Sequence, residues 1–83
     1  MSPVAQQVVA LYRAYRTALA VLEALGERLR NAPPAQRPCL EIAIVQARHV
    51  LDVESLAFID ATCALDAESR AEVRQALRRA EVR

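Results

Sequence analysis

The side chains of this chain that could act as nucleophiles, bases or metal ligands are few: His49, Cys39, Cys63, three serines at positions 2, 55 and 69, and the carboxylates. His49 has Asp52 on the neighbouring helical turn, the arrangement nearest to an acid–base pair. A metal centre needs three or four converging ligands, and Glu41, Asp60 and the cysteines have no motif spacing around that pair. Cys39 and Cys63 fall on one helix, where a rise of about 1.5 Å per residue separates them by roughly 36 Å. A disulfide tolerates at most about 7 Å between Cα atoms, so the two read as buried or half-buried structural thiols, with an intermolecular disulfide or redox role as the alternative. The serines lack a glycine-flanked nucleophile elbow, and the only glycine, Gly26, rules out a phosphate-cradling loop. Asp52 with Glu41, and Glu68 with Glu72, have the spacing of solvated helix faces. The expectation is a protein with no catalytic residue, no cofactor and no metal, in which His49 is a half-exposed histidine. If its side of the helix is an interface, it becomes a pH-sensitive contact.

Such side chains are positioned by helices. The chain has 83 residues, is 54% hydrophobic and only 4% aromatic; average domains are about 45–50% apolar. A domain this short buries only about 60% of its unfolded surface, so small aliphatics exceed what a thin core hides. That excess points to a homodimer or a surface covered by another protein. A net charge of +1 favours neither nucleic acid nor an anionic membrane. All basic residues are arginine, read here as the codon bias of a GC-rich genome. There is no secretory signal pattern and no run of about 20 apolar residues, so the expected location is the cytoplasm.

Ser2-Pro3 is a helix opening, with an N-cap oxygen followed by proline at the first helical position. From there Val4, Val8, Leu11, Tyr15, Ala18, Leu22, Leu25 and Leu29 alternate in steps of four and three, predicting one packed face on a helix over about 3–30. Ala5, Tyr12 and Leu19 widen that face, which suits a bundle. Gly26, weak in a helix interior, marks an expected close crossing or bend. The proline-rich stretch 31–38 breaks the chain and folds it into an antiparallel hairpin.

The second helix, about 38–64, is apolar on two sides. Leu40, Ile44, Ala47, Leu51 and Phe58, continued by Leu65 and widened by Val50, Ala57 and Ala61, form one. Ile42, Val45, Val53, Leu56 and Cys63 form the other. Helix 1 covers the first, leaving the second to helix 3 or a second subunit. Glu54, on the first line, requires an arginine from helix 1 or another chain. Asp66 caps a third helix over about 67–82 with a poor stripe of Val73, Ala76, Leu77 and Ala80, expected to dock loosely. The predicted fold is all-α: a long antiparallel helical hairpin plus a shorter third helix, as a three-helix bundle or a dimeric helical bundle, in a single domain.

The function expected is a non-enzymatic protein–protein interaction module (an adaptor, a small chaperone or co-chaperone, or an inhibitor of a larger protein) that acts by burying a helix face. Tyr12, Tyr15, Leu19, Val53 and Leu56 are the candidate partner-binding residues. The partner is another protein or a second copy; nucleic acid is disfavoured, and no membrane is expected. The alternative is a regulatory nucleic-acid-binding protein using Arg70, Arg74, Arg78, Arg79 and Arg83 of the third helix, although Asp66, Glu68, Glu72 and Glu81 nearly cancel their charge. A further alternative rests on Leu11-Tyr12-Arg13 within Val9-Ala10-Leu11-Tyr12-Arg13-Ala14, which resembles the signature triplet of LYR-motif proteins. That resemblance implies a three-helix adaptor, mostly mitochondrial in that family, that binds acyl carrier protein and assembly-complex subunits. The chain departs from it in its acidic second helix and in lacking a basic and phenylalanine motif downstream.

Overall fold

The computed structural model describes residues 2–81, with side chains through Arg79, and its regular elements are all helical. Helix α1 spans Pro3–Arg30, α2 spans Arg37–Cys63 and α3 spans Ala67–Glu81; a 3-10 turn, Pro34–Gln36, joins the first two. The expected end of the third helix at Val82, and Arg83, lie outside the described residues.

Each boundary has a local cause. Ser2 Oγ accepts a hydrogen bond from the Ala5 N–H at 3.2 Å, and Pro3 follows it, satisfying donors that a helix start leaves unpaired. At the other end Asn31 Nδ2 donates to the Glu27 carbonyl at 3.1 Å, Arg28 and Arg30 complement the dipole, and Arg30 pairs with Glu27 on the surface. Pro33 holds the chain extended before Pro34 starts the tight turn. Helix α2 then begins at Arg37, one residue earlier than expected, with Pro38 in its first turn where no N–H is needed. It closes at Cys63, one residue early, as the Ala64 N–H donates to the Asp60 carbonyl at 3.3 Å and the Leu65 N–H to the Thr62 carbonyl at 3.2 Å. Asp66 caps α3 as expected: its Oδ1 accepts from the Ser69 N–H at 2.8 Å. That backbone bond first, then the Ser69 side chain and the charge of Arg70, hold the Asp66 carboxyl below its ordinary value.

The hairpin packs α1 along α2, and α3 folds back onto α1. The core lies at one end, where Ala5 and Val8 of α1 meet Leu65 and Val73, flanked by Phe58, Ala61 and Leu77. The Ser2 N–H also donates to Glu72 Oε2 at 3.3 Å, tying the start of α1 to α3. Along the rest of the hairpin the seam residues Leu11, Tyr15, Leu22, Leu25 and Leu29 are half-buried, and Ala18 and Leu40 are buried. A helix with one neighbour hides only one flank of each side chain. Val4 departs from the expected seam: it is in the first turn of α1 and is 51% exposed. Gly26 is also not a close crossing, since a Cβ built there meets nothing within 4 Å.

The outcome is a plank measuring 52 × 25 × 14 Å over its Cα atoms, with a radius of gyration of 16.1 Å. A compact chain of this length has about 12 Å. It exposes 6114 Å², about 1,200 Å² more than surface scaling gives for a compact 9.2 kDa chain.

Candidate interaction surface

The second apolar side of α2 is open. Ile42 (62%), Val45 (69%), Val53 (50%), Leu56 (61%) and Ile59 (52%) are half exposed or more, and Cys63 is exposed at the end of the same face. Helix α3 does not cover it, because Leu65 in the link is buried and turns the chain toward α1, where Val73 anchors the helix. Val50, expected to widen the inner line, is 49% exposed beside this face. Ile59 belonged to neither expected line. Its signal in the sequence is a spacing of three from Leu56 and four to Cys63.

The five sequence-derived contact residues divide between two surfaces. Val53 and Leu56 stand on the open face of α2. Tyr12 and Tyr15 are half-buried and spend their rings on Phe58 of α2. The Tyr12 and Phe58 ring centroids are 5.6 Å apart and tilted by 52°, and Tyr15 stacks on Phe58 at 6.4 Å and 14°. These are favoured aromatic geometries within one chain. Leu19, one turn beyond Tyr15, is half-buried as well. Of the Leu11-Tyr12-Arg13 triplet, only Arg13 is exposed.

Glu54 has no arginine partner among the described residues, contrary to one of the two remedies expected for it. It lines an open groove of about 360 Å³ between α1 and α2, with Ala14, Thr17, Ala18, Val21, Ala47 and Val50. The small side chains leave that groove unfilled, and Glu54 is half-buried at its edge. His49 and Asp52 are exposed, and so are Cys39 and Cys63, contrary to the expectation of buried or half-buried thiols, because neither cysteine lies on the face of α2 that packs against α1. Among the described residues no group of three or more His, Cys, Asp or Glu side chains converges as a metal site would, and no helix is long and apolar enough to cross a membrane. Arg70, Arg74, Arg78 and Arg79 are exposed on α3, interspersed with Glu68 and Glu72. No protein family, curated protein or solved structure matches the chain.

Proposed function

We propose that this protein is a non-enzymatic helical interaction module that works by burying the outer face of α2 against another protein surface. The observation that carries this reading is the row of large aliphatic side chains along one helix, each half exposed or more. Single exposed leucines are ordinary, but a row of aliphatics along one helix face, with His49 and Asp52 at its middle, marks a surface suited to being covered. The strip sits on a continuous 27-residue helix whose other side packs against α1, an arrangement suited to helix-face recognition.

Native mass spectrometry of the protein isolated from its own cells tests this. The expected result is a complex, with a second copy or another protein, that Leu56→Glu abolishes while circular dichroism stays helical. A partner-free monomer at micromolar concentration, with α2 amides no better protected than in the Leu56→Glu variant, overturns the reading.

A further inference from the structure

We infer that the outer face of α2 is a self-complementary seam on which a second copy of this chain docks antiparallel, with His49 of each copy against Asp52 of the other. The inference rests on the helix-face reading above and names the occupant.

The exposed residues Ile42, Val45, His49, Asp52, Leu56, Ile59 and Cys63 alternate in steps of three and four. That is the spacing of the core positions of a coiled coil. On the isolated chain it makes no sense to repeat it on a solvent face, since α1 already occupies the opposite one. The row is also palindromic in chemistry: two aliphatics, a group that can be cationic, an anion, two aliphatics. Aligned antiparallel about the midpoint between residues 50 and 51, Ile42 opposes Ile59, Val45 opposes Leu56, and His49 opposes Asp52, each pair occurring twice by the two-fold symmetry.

Other alignments lose this match. A parallel pair in register sets His49 on His49 and Asp52 on Asp52. Antiparallel pairs displaced by a heptad set Asp52 against Leu56 or His49 against Val45, leaving polar groups buried against aliphatics. In the favoured register the flanks also agree, with Arg48 beside Ser55 and Glu41 beside Thr62 of the second copy. No like charges meet, which is what partner selection at such positions requires. The chain as a whole exposes 6114 Å², about 1,200 Å² more than a compact chain of its mass, surface of the kind that association covers.

The native cysteines report the orientation. In the favoured register Cys39 and Cys63 of opposite copies are offset by about 1.5 Å along the axis, whereas Cys63 lies about 37 Å from Cys63. A short bismaleimide, its reach matched to an interaxial distance of about 8–10 Å, should join Cys39 to Cys63 between labelled and unlabelled chains. Cys63–Cys63 and Cys39–Cys39 products would overturn the antiparallel register. Sedimentation equilibrium supplies the second readout. His49→Asp should weaken the dimer at least ~10-fold by opposing two carboxylates twice, and adding Asp52→His should restore it by exchanging the pair. Failure of the exchange to restore association overturns the His49–Asp52 pairing. A monomer that binds a different protein through Leu56 overturns this inference and leaves the helix-face reading intact; a monomer that binds nothing there removes both.

Discussion

Gly26 is the residue at which one atom changes most. It lies inside α1 with open space where a Cβ would stand, so Gly26→Ala removes unfolded-chain freedom without a clash. Thermal or urea unfolding should show a gain of about 1 kcal/mol. Asp66 works in the opposite sense under acid. Its carboxyl is held below the ordinary value by Ser69, so its contribution is present above about pH 4, the unfolded carboxylate range, and is lost as pH falls through the depressed folded value. Amide exchange in the first turn of α3 should accelerate there, and Asp66→Asn, which keeps a capping oxygen, should remove the pH dependence. The caps at Ser2 and Asp66 were legible in sequence because a cap is decided within four residues. The place of Glu54 beside an open groove was not, because it depends on how the alanines of another helix pack.

Among elements, α3 depends most on a single side chain. Val73 is 4% exposed and meets Ala5, Val8 and Leu65. Val73→Ala should therefore raise hydrogen exchange throughout α3 while α1 and α2 stay protected, the signature of a local unfolding unit. Equal loss of protection in all three helices would show instead that the molecule unfolds as one. The three helices themselves followed from spacing and proline placement, since α1 and α2 repeat their patterns over many turns. Where α3 docks did not follow. Its own stripe is poor, and the deciding residue is Leu65, which looks like the tail of α2 but is buried in the link and directs the chain toward α1.

On the scale of the whole molecule, two helices lie side by side over most of the length and three meet only at one end. The two-sided character of α2 was readable as two sets of aliphatics. Its openness needed the fold, because only the path of α3 shows which set is left uncovered. The displaced core has a mechanical consequence. A hairpin joined covalently through residues 31–36 at one end and packed by three helices at the other is held at both ends, so its least supported stretch is the middle, where α1 and α2 have only each other and the groove beside Ala18 and Ala47 lies open.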